Sequence, residues 1–387
     1  MLVTLDSITT KITKGTTPTS VGCTFENSGV NFIKSESLGN SRNIDRSKFA
    51  FISEQTHEKL KRSQIEKNDI LFSMAGMFLG KTGIVTDDLV PANTNQAVAI
   101  IRIDTEKANH EYVYYYLNQR SVVQAVNASS AQSAQPNINL KQIGQIEIDL
   151  PERKLQDKIV SILSAIDFKI EKNNQINENL EQQAKAIYQQ MFIENTCPDW
   201  IEGSLRDIAD ITMGQSPSGS SYNEDGIGTI FFQGRAEFSF RFPTIRLYTT
   251  EPKRMAYAND ILMSVRAPVG DLNIAHTDCC IGRGLAAIHS KTNHQSFVLY
   301  TMFSLRKQLD VFNGEGTVFG SINRNSLNDM PILIPSDETI EEFEKIVAPM
   351  DAAIRNNYDE ICRLQAVRDS LLPRLMSGEL DVSSLDI

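Results

Sequence analysis

One glycine-rich segment has the residue types of a phosphate-binding loop. Residues 76–82 read GMFLGKT, which ends in a glycine, a lysine and a threonine. A nucleotide-binding loop needs four residues between its glycines and opens into a helix, whose first amides hold the phosphates. Here three residues intervene, and residues 83–86 (GIVT) have the composition of a strand. We therefore predict a β-hairpin with Lys81 at its tip and no nucleotide site.

Metal-ligand residue types cluster once in the chain. The residues are His276, Cys279, Cys280, His289 and His294. Their spacings fit no zinc pattern, and residues 281–288 have the composition of a buried strand. We predict that these residues have a structural packing role and that the chain binds no metal.

Three kinds of catalytic motif are missing. No serine stands in a GxSxG elbow, and the chain has no Pro-Pro pair with which to form the Asn/Asp-Pro-Pro-aromatic motif of a DNA methyltransferase. Glu251 and Lys253 flank a proline and lack an acidic partner on a preceding strand, so a nuclease site is not indicated. By elimination the sequence predicts a binding protein that is not an enzyme.

Polar and basic residues suited to nucleic acid lie at the ends of predicted strands. Arg266 falls in a turn within SVRAPVG, and Arg283 stands between two glycines. Arginine and lysine read guanine edges or phosphates, whereas asparagine and glutamine read adenine edges. Any one of these residues could belong to a solvated loop, but their occurrence in two regions favours DNA binding. The candidate DNA-binding residues are Lys14, Thr16, Ser73, Met74, Lys81, Asn95, Gln96, Gln215, Ser216, Ser218, Arg235, Ser264, Arg266, Arg283 and Arg324.

The elements that position these residues occur twice. Leu150-Pro151 is followed by a long helical pattern, and Ile334-Pro335 is followed by the same pattern 184 residues later. Asn173 and Asn357 are separated by the same 184 residues. A tandem repeat of this length suggests a molecule with approximate twofold symmetry.

The repeated segment predicts two long amphipathic helices. Apolar residues recur in steps of three and four from Leu155 to Met191, and again from Ile340 to Leu375. At about 1.5 Å per residue, roughly 40 residues give a rod of about 60 Å. We expect an antiparallel coiled coil in which Asn173 and Asn357 replace apolar seam residues and fix the register of the helix pair.

The regions that precede each helix have an α/β composition. Short runs rich in Val, Ile and Phe are broken by Gly, Asn and Pro, which predicts mixed α/β domains with twisted sheets. Residues 68–73 (NDILFS) match residues 259–264 (NDILMS), and Gly15-x-x-Pro18 matches Gly214-x-x-Pro217. The spacing of these matches drifts, which indicates loops of different length on one frame.

Charge and hydropathy bound the possible partners. The net charge is −10, and residues 336–387 hold 12 acidic but only 5 basic residues. The two α/β regions are therefore nearly neutral, which leaves room for a basic face on each. Neither a signal peptide nor a long apolar run is present, so we expect a cytoplasmic protein that does not enter a membrane.

Three passages carry a resemblance to a known family. They are residues 259–270 (NDILMSVRAPVG) together with 280–284 (CIGRG), residues 320–323 (GSIN) leading to Pro335, and residues 371–380 (LLPRLMSGEL). Over its whole length the chain resembles the specificity subunit of Type I restriction-modification systems.

The resemblance implies four segments and a set of partners. Residues 1–150 and 197–335 would be target recognition domains, each reading one half of a bipartite, asymmetric DNA site. Residues 151–196 and 336–387 would be conserved spacer helices, the second with a C-terminal tail, that set the gap and dock two modification subunits. Those subunits would methylate adenine, and restriction subunits could join them. S-adenosylmethionine and ATP would bind to these partners, so the chain itself would need no cofactor.

Two other functions remain open from the sequence. A coiled-coil scaffold without a nucleic-acid role would explain the helices and the acidic segment, but not the duplicated regions with different loops. A self-contained methyltransferase or nuclease would need the motifs that are missing.

Overall fold

A computed structural model describes residues 1–39, 41–130, 137–314 and 320–385. The chain forms two compact units. Unit 1 consists of Met1–Asn173 and Asp359–Ile387, and unit 2 consists of Asn174–Tyr358. Each unit contains strands, short helices and part of both long helices, so the predicted mixed α/β fold is confirmed.

The strands and helices of the first half of the chain end in a long helix. In order they are β1 (Leu2–Thr4), β2 (Thr9–Lys14), β3 (Val30–Ile33), β4 (Ala50–Ile52), α1 (Glu54–Lys59), β5 (Gln64–Ile65), β6 (Ile70–Ser73), β7 (Thr82–Ile84), β8 (Ala92–Thr94), β9 (Val98–Ile103), α2 (His110–Leu117), α3 (Arg120–Ser130), α4 (Leu140–Gly144), β10 (Glu147–Asp149) and α5 (Arg153–Tyr188). A π-helical segment, Gln189–Glu194, continues α5.

The second half has a similar but not identical order and ends in the other long helix. It contains β11 (Ile201–Ser204), α6 (Leu205–Ile208), β12 (Ala209–Met213), β13 (Tyr222–Asn223), β14 (Thr229–Phe232), β15 (Leu247–Thr249), β16 (Met255–Ala256), β17 (Ile261–Ser264), β18 (Leu272–Ile274), β19 (Cys279–Ile281), β20 (Leu285–Ser290), α7 (Gln295–Ser304), α8 (Arg306–Leu309), α9 (Arg324–Asn328), β21 (Pro331–Ile334) and α10 (Asp337–Met376).

The two units share their sheet topology. An antiparallel sheet has the order β2-β9-β6-β7 in unit 1 and β12-β20-β17-β18 in unit 2. A second sheet has the order β4-β3-β8-β5 in unit 1 and, with one added strand, β13-β15-β14-β19-β16 in unit 2. Its central strands, β3 with β8 and β14 with β19, run parallel. The sequence repeat is therefore a repeat of architecture.

The Asn-Asp pair that precedes β6 and β17 has a local structural reason. Asn68 and Asn259 adopt left-handed backbone angles, with φ of 69° and 75°, a conformation that asparagine tolerates better than most residues. The buried Asp69 accepts the backbone N–H of Glu66 at 2.8 Å. Asp260 does the same for Tyr257 at 2.7 Å. The turn thus directs the chain into a fully buried strand in both units.

The C-terminal part of α10 belongs to the core of unit 1. Leu372, Leu375 and Met376 are buried in one cluster with Ile159 and Leu163 of α5. Val382, which follows the helix, is buried in the same cluster. Apolar burial of this kind contributes roughly 1.5–3 kcal/mol per large side chain, so residues 359–385 stabilise unit 1.

Both long helices were predicted, and within each unit they run antiparallel. In unit 1, Asp167 of α5 pairs with Arg368 of α10 at 2.9 Å, and the amide of Asn173 donates to Glu360 at 2.7 Å. In unit 2, the amide of Asn357 donates to Asn177 at 2.8 Å. Each predicted register residue therefore hydrogen-bonds to the opposite helix.

One position of α5 differs from the burial that the apolar pattern predicts. Ile176 belongs to the apolar series between Leu155 and Met191 that predicts the buried seam, but its side chain is 47% exposed. Asn173 and Asn177 occupy the contact instead, with 1% and 3% exposure. Two buried amides exclude the neighbouring isoleucine because their hydrogen bonds to α10 need that side of the helix.

The boundaries of the four segments, two recognition domains and two spacer helices, remain a prediction. The two compact units do not coincide with these segments. Each unit holds one predicted recognition domain together with portions of both spacer helices. Among the described residues, no helix has both the length and the apolar character needed to cross a membrane.

Candidate nucleic-acid interface

In unit 2, five loops meet beyond one end of the sheets. We call them the unit 2 edge: residues 214–218, 233–235, 265–268, 282–284 and 320–323. Backbone hydrogen bonds join them, from Gly214 to Leu285 at 2.9 Å, from Val265 to Gly284 at 2.9 Å and from Ile322 to Val265 at 3.1 Å. These bonds fix the relative positions of loops that lie far apart in the sequence.

Glycine is required where two of these loops touch. A Cβ at position 214 would lie 2.2 Å from the carbonyl oxygen of Gly282, which is closer than any real contact. The Gly-x-x-Pro motif therefore allows the residues after β12 to lie against the turn between β19 and β20. That turn carries Arg283.

Among the described residues, the arginines of unit 2 that lack a partner lie in this edge or next to its loops. Unit 2 has ten arginines, and six of them bind acidic or carbonyl groups: Arg206, Arg235, Arg241, Arg246, Arg306 and Arg355. Within the described part of the chain, the guanidinium groups of the other four have no partner: Arg254, Arg266, Arg283 and Arg324. All four are exposed. Unpaired positive charge at one edge is the pattern expected of a phosphate- or base-binding surface.

Sequence reasoning missed Arg254. Its carbonyl oxygen accepts the N–H of Ile281 at 2.9 Å, which places it next to the Gly282–Gly284 turn. The available signal was its place immediately before a short strand, preceded by Lys253. No motif marked it, because the pairing of β16 with β19 that brings it to the edge is a tertiary contact.

The structure brings several predicted residues of unit 2 together. Ser216 accepts the N–H of Arg283 at 3.2 Å, and the exposed Gln215 is held through its N–H to Ile281 at 2.9 Å. Arg266 pairs with Ser321 across an isolated bridge, which brings the segment before Arg324 to the same edge. Gln215, Ser216, Arg266, Arg283 and Arg324 therefore form one candidate surface.

Three other predicted residues of unit 2 have different roles. Ser264 is 2% exposed and donates to the carbonyl of Arg266 at 2.8 Å, so it shapes the turn. Arg235 is paired with Asp271. Ser218 is exposed, and its hydroxyl lies 2.8 Å from that of Ser220. We do not include Ser264 in the surface, because its side chain cannot reach a ligand from the interior.

Unit 1 has an equivalent edge with the same backbone pattern. Gly15 donates to Val98 at 3.1 Å, Met74 donates to Ala97 at 2.8 Å and Ile138 donates to Met74 at 2.9 Å. An isolated bridge joins Ala75 to Asn137, as another joins Arg266 to Ser321 in unit 2. We call residues 15–17, 74–75, 95–97 and 137–138 the unit 1 edge.

The predicted residues of unit 1 divide between surface and interior. Lys14 and Gln96 are exposed, Thr16 is half-buried, and Thr17 donates its hydroxyl to the Gln96 side chain. Asn95 accepts the N–H of Ala97 at 3.1 Å and so shapes the turn. Ser73, the last residue of β6, and Met74, which follows it, are buried, with 0% and 7% exposure. They cannot touch a ligand directly in this arrangement.

The glycine-rich segment forms a hairpin, as predicted. β6 and β7 pair antiparallel with Ile70 opposite Ile84, and a strand rather than a helix follows Lys81. Lys81 is not at the tip, however. Its carbonyl accepts the N–H of Ser73 at 2.8 Å, which places it at the base of the loop, whereas residues 76–78 form the turn.

The histidine and cysteine residues do not form a metal site in the described ranges of the chain. Cys279 and Cys280 are fully buried in β19. Burial raises the pKa of the Cys279 thiol to about 12, so this thiol stays neutral and is a poor ligand. His289 bonds to Asp260 at 2.6 Å, and His276 packs against the rings of Phe242 and Tyr358.

Two α/β units of one topology, each with a polar loop edge, define a protein with tandem recognition domains. The chain belongs to the family of the Type I restriction modification DNA specificity domain, whose sequence model matches twice, over residues 1–182 and 198–361. The chain therefore has a role in DNA specificity. It is not a coiled-coil scaffold without a nucleic-acid role.

Relatives and a solved structure agree with this family. The chain is 29% identical to the protein named as the MjaX specificity subunit of a type I restriction enzyme from Methanocaldococcus jannaschii, over 90% of this chain and 87% of that protein. It is 22% identical to the HindI specificity subunit from Haemophilus influenzae, over 82% and 88% respectively. The fold is similar to the type I restriction-modification S subunit from M. genitalium, with a TM-score of 0.59, 15% identity and coverage of 97% and 95%.

Proposed function

We propose that this chain reads a DNA site in two separate halves, one with each unit. The observation that carries the proposal is the repeated edge. Both units join their loops with the same backbone hydrogen bonds, yet the side chains presented there differ. Two similar but unequal surfaces suit a bipartite site whose halves differ in sequence.

Partner subunits would carry out the methylation and the restriction. Two modification subunits would bind S-adenosylmethionine and methylate adenine, and restriction subunits would use ATP. This chain would then supply recognition and no catalytic group. The specificity-subunit names of its relatives support that division of roles.

The helix pair and the acidic segment would serve the assembly. Residues 336–387 carry 12 acidic and 5 basic residues, and this segment would be repelled by phosphate. We assign it to protein contacts with the modification subunits, and the two edges to DNA. Arg266 and Arg283 of the unit 2 edge have no acidic partner among the described residues, so phosphates and bases can bind them without displacing a salt bridge.

A reconstitution experiment tests this function. The chain is purified in complex with co-expressed modification subunits, and the complex methylates a genomic library with S-adenosylmethionine. We expect methylated adenines in one non-palindromic motif of two short parts with a fixed gap, and no methylation when this chain is omitted. A continuous motif, or the same methylation without this chain, would refute the proposal.

A further inference from the structure

The two edges can be aligned residue by residue through their hydrogen bonds. Thr94 accepts the N–H of Thr16, and Ile281 accepts that of Gln215. Val98 and Leu285 accept the N–H groups of the two glycines, Gly15 and Gly214. Counting between these fixed points places Gln96 of unit 1 where unit 2 has Arg283.

A second position is aligned in the same way. Met74 donates its N–H to the carbonyl of Ala97, and Val265 donates to that of Gly284. Each acceptor immediately precedes a strand, β9 in unit 1 and β20 in unit 2. The next residues, Ala75 and Arg266, each form an isolated bridge to the segment before the last short helix. Ala75 of unit 1 therefore stands where unit 2 has Arg266.

The two arginines have the chemistry of guanine readers. Both are exposed, and neither guanidinium has a partner within the described residues. A guanidinium presents two parallel N–H donors, and the major-groove edge of guanine presents two acceptors, N7 and O6. The backbone of Arg283 is held by Ser216 at 3.2 Å, so the side chain starts from a fixed point.

Gln96 has the chemistry of an adenine reader. The hydroxyl of Thr17 donates to its side-chain oxygen, which orients the amide. Its NH2 group has no partner in the part of the chain that the structure describes, and the oxygen keeps a second lone pair. Adenine offers one acceptor, N7, and one donor, N6–H, which match an amide in this orientation. Ala75 offers neither a donor nor an acceptor.

We infer that the half-site read by unit 2 contains guanines contacted by Arg266 and Arg283, whereas the half-site read by unit 1 contains an adenine contacted by Gln96. This inference rests on the proposed DNA-reading function and adds to it the identity of the bases. The aligned positions 96 and 283 would then account for part of the difference in base sequence between the two half-sites.

Reciprocal substitution tests the inference. The variants Arg283→Gln and Gln96→Arg are each assembled with the modification subunits, and the methylated motifs are mapped as for the parent. We expect Arg283→Gln to weaken the preference for guanine at one position of one half-site by roughly 5- to 150-fold. Gln96→Arg should shift one position of the other half-site from adenine toward guanine. In each variant the untouched half-site should keep its sequence.

A matched control removes charge elsewhere. Lys291 lies at the other end of β20 from Arg283, and its side chain lies 3.8 Å from Asp210. Lys291→Gln loses the same charge as Arg283→Gln, and we expect its methylated motif to equal that of the parent. The substituted side chains of Gln96, Arg283 and Lys291 are exposed, so thermal unfolding of the variants should match that of the parent. An equal loss of methylation at every site in Arg283→Gln and Lys291→Gln would overturn the inference.

The outcomes separate this inference from the function on which it rests. A parent complex that methylates without a two-part motif refutes the proposed function. A parent with a two-part motif, but with no guanine in the half-site changed by Arg283→Gln, refutes only the base assignment. Motifs that stay unchanged in both reciprocal variants refute it as well.

Discussion

Arg241 shows how a single residue connects a recognition domain to the helix pair. It is 3% exposed and donates to Glu181 of α5 at 3.1 Å and to Asp351 of α10. Tyr300 of α7 also bonds to Asp351, at 3.0 Å. Burial raises the pKa of Asp351 even though the Arg241 charge opposes that shift. The arginine is therefore the counterion on which two carboxylates in a poorly solvated site depend.

We expect Arg241→Met to destabilise unit 2 by about 3–5 kcal/mol, because the substitution leaves both carboxylates without their counterion. Urea unfolding followed by fluorescence measures this in unit 2 alone, since the single tryptophan, Trp200, packs there against Phe192. Arg206→Met is the matched control. Its partner, Asp329, is 58% exposed, and we expect a loss of about 1 kcal/mol or less. Equal losses in the two variants would contradict this role of Arg241.

Two glutamates of α10 should respond to pH in opposite directions. Burial raises the pKa of Glu344, so its folded-state charge is unfavourable and its stabilising contribution is lost as pH rises through that pKa. Hydrogen bonds from its own backbone N–H and from Ser336 lower the pKa of Glu338, so its contribution is present at neutral pH and is lost on acidification. Glu344→Gln should therefore stabilise unit 2 at pH 7, and Glu338→Gln should weaken it.

Urea titrations at pH 7 and at pH 4 check both glutamates. Glu344→Gln should approach the parent as pH falls through the raised pKa of Glu344, because the parent glutamate then becomes protonated. Glu338→Gln should approach the parent only on further acidification, because the pKa of Glu338 is lowered. Glu344 accepts the N–H of Phe297 at 2.8 Å, and the side-chain oxygen of a glutamine at this position can still accept it. A destabilised Glu344→Gln at pH 7 would show that its charge is favourable in the folded state.

The sequence identified residues of the right type but could not determine their exposure. Arg266, Arg283 and Gln96 are at the surface as expected, whereas Ser73, Met74 and Ser264 are interior. These three residues stand at or just beyond the ends of strands β6 and β17, both of whose faces are covered. A one-residue difference along a strand end decides between surface and core, and only the pairing of the strands determines it.

At the scale of elements, the loop edge depends on the close approach of two backbones. A Cβ at position 214 would lie 2.2 Å from the carbonyl of Gly282. We expect Gly214→Ala to displace the turn that carries Arg283, at a cost of about 1–3 kcal/mol in unit 2. Recognition of the second half-site should be lost while the first is kept, which methylation mapping measures.

Gly219→Ala is the control for this substitution. A Cβ at position 219 has no heavy atom within 4 Å, and the residue lies in the loop after β12, as Gly214 does. We expect parent stability and the parent motif. Loss of both half-sites in Gly214→Ala would indicate global damage instead of a displaced turn.

The helices and the repeat were more predictable than the sheets. Apolar residues recur in steps of three and four along almost the whole of α5 and α10, and a pattern of that length is typical of a long amphipathic helix and of little else. The mixed sheets could not be derived, because β3 and β14 pair in parallel with strands about 50–60 residues away. Ile176 shows the limit within the helices, where two asparagines displaced an expected seam residue.

At the scale of the whole molecule, the chain passes between the units only within the two long helices. The division falls between Asn173 and Asn174 in α5, and between Tyr358 and Asp359 in α10. The hydrogen bonds from Asn173 to Glu360 and from Asn357 to Asn177 lie on the two sides of that division. Matched insertions there leave the helix contacts within each unit intact.

We expect a seven-residue helical insertion after Gln175, together with another after Tyr358, to lengthen the gap of the recognised site. Seven residues extend a helix by about 10 Å, which is the length of roughly three base pairs. Methylation mapping would show both half-sites unchanged in sequence but farther apart. A recognised site with the parent gap would show that the helices do not set it.

An insertion in α5 alone is the control. It changes the length of one helix without the other, so the paired bonds of Asn173 and Asn357 could no longer both form. We expect lower stability and weak methylation from this variant. If it instead lengthens the gap as well as the double insertion does, the register of the helix pair is not needed.

The division of unit 1 into two stretches has a consequence for synthesis on the ribosome. Unit 2 is the unbroken stretch Asn174–Tyr358, so 185 residues are made between the two parts of unit 1. At about 5–20 residues per second, this takes roughly 10–40 s. Throughout that interval Ile159 and Leu163 lack Leu372 and Leu375, their partners in the core. The domain translated first is therefore completed last, and its nascent form must wait with an uncovered apolar helix face that chaperones can bind.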